Sequence, residues 1–184
     1  YGDLKLPMPN VFGEFQLENA SSAISTLRVL DKLKIKDNHI KSGITKISSI
    51  ARLQEIKKGK LKNLCQNNKI FCDGSHNPDG ARALNAFLET WECEKHIIIG
   101  MMANKDHKNY LNQFKNISSL TTIDIPNQPN SIKGEDLKRK FSNYPNIKYK
   151  SSIVDAIKSI NLSNDAIILI TGSLYLAGEV LNLN

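Results

Sequence analysis

A chain of 184 residues, 40% of them hydrophobic, can build one ordinary core and a smaller appendage, and a formal charge of +7 concentrates anions of any kind around it. No apolar run approaches the roughly 18 uncharged residues of a membrane-spanning helix, and the opening YGDLKLPMPN has neither the basic nor the apolar region of a signal peptide. Cys65, Cys72 and Cys93 lack CxxC spacing, which indicates neither a disulfide framework nor structural zinc and makes a reducing cytoplasm the expected compartment.

In chain order, Leu17 to Leu33 places Ala20, Ala23, Ile24, Leu27 and Leu30 at helical spacing, with no strand of comparable strength before it. Residues 1–50 therefore read as the tail of another domain, and a start at Tyr1 rather than methionine suggests a piece of something longer. A polar stretch with Ser48 and Ser49 leads into ARLQ as a junction. The basic run KKGKLK at 57–62 has no interleaved aromatics to stack on bases, so it reads as a solvated loop or turn, with no nucleic acid as a partner.

From there on, runs rich in β-branched residues at 69–73, 96–101, 120–126, 146–150 and 166–171 predict strands. Helical patterns at 78–90, 108–116, 134–142 and 152–160 separate them. Such alternation implies crossover helices between parallel strands. Residues 51–184 are expected to form a Rossmann-like α/β domain: an open, mostly parallel sheet with helices on both faces.

In such a sheet the carboxyl ends of the strands share one edge, where ligands bind. Three predicted strands run out there into polar loops: KIFC into DGSHN, HIIIG into MMANKD, and AIILI into TGSLY. Asn77 and Pro78 suit the N-cap and first position of a helix whose free N–H groups would face an anion. Asp73 can accept from a ribose or an amine, and His76 can donate to a phosphate or carboxylate or act as acid or base. Capping alone also explains Asn77 and Ser173, and Lys105 with Asp106 also suits an exposed turn. A metal held by Cys72 and His76 lacks a second ligand pair, and a Ser75–His76 nucleophile lacks the GxSxG elbow.

The segment DGSHNPDGARAL resembles the D-x-A-H-N-P segment of folylpolyglutamate synthase and dihydrofolate synthase, members of the Mur ligase superfamily. FGEFQLENASSAISTL resembles the G-x-H-Q-x-x-N-A-x-x-A helix closing that family's central ATPase domain, and ARLQ its G-R-[FL]-Q linker. GMMANKD is similar to G-x-x-x-x-K-D, and TGSLYLAGEV to the closing G-S-x-[YH] segment. All five motifs occur in the family's order between Val11 and Val180. Phe15 replaces histidine, Ala51 replaces glycine, and Ser75 replaces alanine.

The resemblance implies an ATP-dependent ligase that joins L-glutamate to folate or dihydropteroate through an acyl phosphate. It implies residues 1–50 as the end of the central ATPase domain and 51–184 as the glutamate ligase domain, in a cytoplasmic monomer. Asn19 would contact adenine and Arg52 the phosphates. Asp73 would complete the nucleotide site or orient the amine. His76 and Ser173 would lie near the glutamate, with Tyr175 and Lys105 beside them. No G-x-x-x-x-G-K-[ST] loop is present, so the phosphate loop and the Mg²⁺ ligands are expected in a preceding region, and the chain alone is expected to be inactive. A non-catalytic binding module and a ligase for a peptidoglycan or cyanophycin substrate are the alternatives.

Overall fold

A computed structural model describes all residues except Tyr1, Phe12, Asp31, Asn143 and Pro145. Phe12 of the FGEFQ motif and Asp31 of the 17–33 pattern thus lie outside the described residues. The chain divides into two compact units, Tyr1–Ile50 and Ala51–Asn184.

The first unit holds two helices, α1 (Glu14–Val29) and α2 (Asp37–Ile44). α1 starts three residues before the expected Leu17, after Gly13 at φ 91, a value open to glycine. α2 was not expected, because its eight residues DNHIKSGI offer only Ile40 and Ile44 as buried positions. Ala20, Ala23, Ile24 and Leu27 of α1 line an apolar groove with Ile40 and Ile44 of α2.

The second unit is one six-stranded sheet in the order β1-β2-β6-β3-β4-β5. Its strands are β1 (Gln54–Glu55), β2 (Lys69–Cys72), β3 (Glu94–Ile99), β4 (Ser119–Ile123), β5 (Ile147–Lys150) and β6 (Ala166–Thr171). The helices are α3 (Lys60–Leu64), α4 (Pro78–Glu89), α5 (His107–Leu111), α6 (Gly134–Lys140), α7 (Ile153–Lys158) and α8 (Leu174–Leu183). All pairings from β2 to β5 are parallel, and only β1 runs antiparallel, against β2.

Both faces of the sheet are covered, which is why β6 and the Ile97–Ile99 end of β3 read as apolar runs rather than alternating ones. On one face Ile70, Ile98, Ile168 and Ile170 join a core with Leu61, Ile153, Ile157, Leu176 and Val180 of the helices. On the other, Phe71 meets Phe87 of α4 edge to face, with ring centroids 5.1 Å apart. Each such fully buried aliphatic side chain contributes about 1.5–3 kcal/mol.

Three expectations need correction. KKGKLK is not simply a solvated loop: α3 begins at Lys60 and turns Leu61 into the core with no exposure at all. One apolar residue among lysines is enough when the sheet offers it a slot. The helix expected over 108–116 is only His107–Leu111, capped at Asn112, and Asn116 at φ 52 lies in the turn before β4. β1 was missed because two residues, Gln54 and Glu55, carry no alternation to detect.

Candidate functional site

β2, β6 and β3 are consecutive in the sheet and in register, with Cys72 opposite Ile170 and Ile99 opposite Thr171. Their polar tips therefore share one rim. The Asp73 N–H donates to Ile170 O (3.0 Å), Gly100 N–H to Thr171 O (3.3 Å), and Gly172 N–H to Ser75 O (3.1 Å), so the tips are stitched to each other by backbone.

The first tip ends in α4, where Asn77 caps by accepting from Gly80 N at 2.8 Å and Pro78 supplies the first turn. A Cβ at Gly74 would meet the Leu174 side chain, which would have to move aside. The half-buried His76 places Nδ1 3.0 Å from Gly74 O. A carbonyl only accepts, so Nδ1 carries the proton, and Nε2 is left to meet a ligand.

Asp73 is 1% exposed, and both its oxygens face backbone donors: Oδ1 accepts from Ser75 N and Oδ2 from Leu53 N, each at 2.7 Å. Through that bond the linker joins the rim. Antiparallel β1 opposes Gln54 to Cys72, which sets Ala51, Arg52 and Leu53 beside the carboxyl end of β2. Ala51 O accepts from Gly74 N at 2.8 Å. Ala51 (φ 56) and Leu53 (φ 44) are left-handed, and both are buried. The Ala51 methyl belongs to the core cluster, a contact glycine could not make, which offsets the strain of alanine at that angle. Between them Arg52 is exposed, and its guanidinium has no hydrogen bond or ion pair among the described residues.

In the third tip Ser173 is buried and its Oγ accepts from Tyr175 N at 3.1 Å, capping α8 as the capping alternative anticipated. Tyr175 is 54% exposed. The second tip is pinned by Ala103 N–H donating to Asn130 O (2.9 Å) and by a bridge between Met102 and Ser131. Lys105 lies in that tip, half-buried, its side chain without a polar partner among the described residues. Asn19 is on exposed α1 of the first unit and donates to Gln16 Oε1 at 3.4 Å. The rim thus gathers Arg52, Asp73, His76, Lys105, Ser173 and Tyr175, while Asn19 belongs to the first unit.

Two residues that no motif flagged hold the rim together. Tyr110 of α5 is fully buried, and its hydroxyl donates to Ser75 O (3.1 Å) and pairs with Thr171 Oγ1 (2.8 Å). Burial drives its pKa well up, so it stays a donor. His107 bridges Met102 O (2.9 Å, from Nε2) and Lys140 Nζ (3.2 Å, at Nδ1), tying the second tip to α6. Each looks like an ordinary helix residue in the sequence; only packing against the strand ends reveals its task. Tyr110→Phe should cost about 1–2 kcal/mol by leaving the buried Thr171 hydroxyl short of a partner. A lower urea midpoint at unchanged m value is the expected readout.

By contrast, Asp124 beyond β4 is consumed by packing, accepting from Gly134 N (2.8 Å) and Tyr149 Oη (2.6 Å). That bond lifts the Tyr149 pKa to about 12. Among the described residues no three His, Cys, Asp or Glu converge as a metal-ligand set. No helix among them is long and apolar enough to cross a membrane.

Compared with known proteins, the chain is 28% identical over 184 residues to a folylpolyglutamate synthase of Lacticaseibacillus casei, covering 97% of this chain and 40% of that protein. It superposes with a TM-score of 0.78 on Mycobacterium tuberculosis folylpolyglutamate synthase complexed with ADP, at 21% identity, covering 100% of this chain and 42% of that one. A bifunctional folylpolyglutamate synthase/dihydrofolate synthase of Yersinia pestis, complexed with AMPPNP and Mn ion, gives a TM-score of 0.76 at 20% identity, covering 96% and 40%. These two structures share its fold. The chain spans about two fifths of the length of the relatives it matches. The family model described as Mur ligase, glutamate ligase domain, matches residues 52–174, nearly all of the unit that builds the rim, and the chain belongs to that family.

Proposed function

We propose that this chain is the glutamate-binding part of an ATP-dependent ligase that adds L-glutamate to folate or dihydropteroate, with residues 1–50 closing a central ATPase domain. The observation that carries this reading is the convergence on one rim of three polar strand tips and an arginine that is unpaired among the described residues. ATP supplies the phosphoryl group that turns the acceptor carboxylate into an acyl phosphate; the glutamate amine then forms the amide and phosphate leaves. ADP and AMPPNP in the solved relatives support a nucleotide as the partner.

In this reading Arg52 meets the phosphates, where a planar guanidinium can make two parallel charge-assisted bonds. Asn19 hydrogen-bonds adenine, and Asp73 completes the nucleotide side. His76 presents Nε2 to the glutamate, either receiving an amine proton or, once protonated, pairing with a carboxylate. Ser173 and Tyr175 flank it, and Lys105 adds a cation for a carboxylate or phosphate. Catalysis by these groups is positioning and charge stabilisation rather than covalent chemistry. The Mn ion of the solved relative supports a divalent metal, expected as Mg²⁺ and held by residues outside this chain. Free Cys65 and Cys72, buried and with pKa values lifted by burial to about 11 and about 12, suit a cytoplasmic enzyme as inert core residues.

The test is ADP release by the full-length enzyme that contains this chain, with glutamate and either folate or dihydropteroate. Release that needs both co-substrates is expected, and His76→Ala should raise the KM for glutamate about tenfold or more. No release with any acceptor would leave a non-catalytic binding module, and release only with a peptidoglycan or cyanophycin acceptor would move the enzyme to another branch of the superfamily.

A further inference from the structure

We propose that Tyr110 is a positioning residue for the amino-acid substrate, acting through the Ser75 carbonyl to set where His76 presents its free ring nitrogen, a role that rests on the reading of His76 as a glutamate contact and deepens it. Tyr110 is 0% exposed, and its hydroxyl is the point where a helix grips the first and third tips at once.

A carbonyl only accepts, so the Tyr110 proton is directed at Ser75 O (3.1 Å), and the bond to Thr171 Oγ1 (2.8 Å) is then donated by the threonine. Donors thus run from the third tip through Tyr110 to the first. Burial keeps the phenol protonated and the direction fixed. Ser75 O also accepts from Gly172 N–H at 3.1 Å, so both its lone pairs are used. That carbonyl belongs to the peptide joining Ser75 to His76. One bond would leave the peptide free to tilt about it, whereas two, from different elements, fix its plane. The His76 ring is held in turn at Nδ1, 3.0 Å from Gly74 O, which leaves Nε2 at a determined place.

The base of this contact is firm. Asp106 caps α5 by accepting from Asn109 N at 3.1 Å, His107 ties the helix to Lys140 of α6, and the Tyr110 ring packs edge to face on Phe114 with centroids 5.6 Å apart. Phenylalanine at position 110 keeps that packing and loses only the hydroxyl. The bonds that hold the linker to the rim, Gly74 N–H to Ala51 O and Leu53 N–H to Asp73 Oδ2, involve neither Tyr110 nor Thr171. The nucleotide side of the rim therefore does not depend on the hydroxyl.

The experiment uses the full-length enzyme that contains this chain, with Tyr110→Phe, Thr171→Val, His76→Ala and the Tyr110→Phe/His76→Ala double variant. It measures the KM for glutamate, the KM for ATP and the melting midpoint. Tyr110→Phe and Thr171→Val both break the bond between the two hydroxyls and should both melt lower, but only the first removes the bond to Ser75. Tyr110→Phe should raise the KM for glutamate about three- to tenfold with the KM for ATP within about twofold of wild type, and Thr171→Val should leave both within about twofold. Unfolded enzyme lowers the maximal rate and not the KM, so the readout survives a loss of stability. The double variant should stay within about twofold of His76→Ala, as residues acting in series do. An unchanged glutamate KM in Tyr110→Phe, an equal rise in Thr171→Val, a matching rise in the KM for ATP, or multiplying effects in the double variant would overturn the proposal. An unchanged glutamate KM in His76→Ala would instead overturn the glutamate reading itself, which tells the two failures apart.

Discussion

The full-length enzyme that contains this chain, carrying Arg52→Ala, is expected to lose between about tenfold and hundredfold in kcat/KM for ATP, the equivalent of about 1.5–3 kcal/mol for a charge-assisted contact. The size of the effect follows from the isolation of the side chain. Arg52 is exposed and has no partner among the described residues, so its removal breaks nothing that holds the domain together. Its thermal midpoint should stay within a degree or two of the wild-type value, which separates a binding defect from unfolding. Lysine at this position should restore charge but only part of the affinity, because a point charge cannot make two parallel bonds. Steady-state kinetics at several ATP concentrations, paired with a melting curve, decides the matter. An alanine variant with wild-type kinetics would remove Arg52 from the site.

Gly172→Ala is the counterpart on the stability side, and it should cost about 3 kcal/mol or more. Gly172 has φ +109, a region closed to residues with a side chain. An added Cβ would sit 2.7 Å from the Gly100 carbonyl oxygen and 2.8 Å from Ile99 Cγ1, so it meets the neighbouring strand's end rather than a yielding side chain. Relief would require β3 and β6 to separate at the rim, where Gly172 N–H also holds Ser75 O. A melting midpoint lower by roughly 10 °C is expected for a domain of this size. Because Ser173 follows directly, the same displacement should raise the KM for glutamate in whatever fraction stays folded. A variant melting with the wild type would show that the strand ends tolerate the shift.

The two variants bear on different parts of the fold, and they mark what could be read without coordinates. β2, β3 and β6 were legible because strands buried on both faces must be apolar throughout, and KIFC, HIII and AIILIT leave no other period to follow. The tips were legible too, since a cap such as Asn77 acts within three residues of itself. Short elements were not. α2, α3 and β1 each draw their stability from neighbours rather than from their own pattern, so Leu61 among lysines and Gln54–Glu55 at an edge gave no signal.

Residue types and local spacing thus determined the class of fold, the three polar tips and the chemistry those tips can offer, because propensity, capping and burial period act over a few residues. Arg52 was named through the resemblance of ARLQ, but tertiary structure decided how it reaches the same rim, through an antiparallel edge strand and a bond from Leu53 to Asp73, twenty positions on. It also decided that Tyr110 and His107 brace the tips, from positions with no local mark. Contacts between distant segments depend on how strands order themselves in the sheet, and that order is set by the packing of the whole domain rather than by any stretch within it.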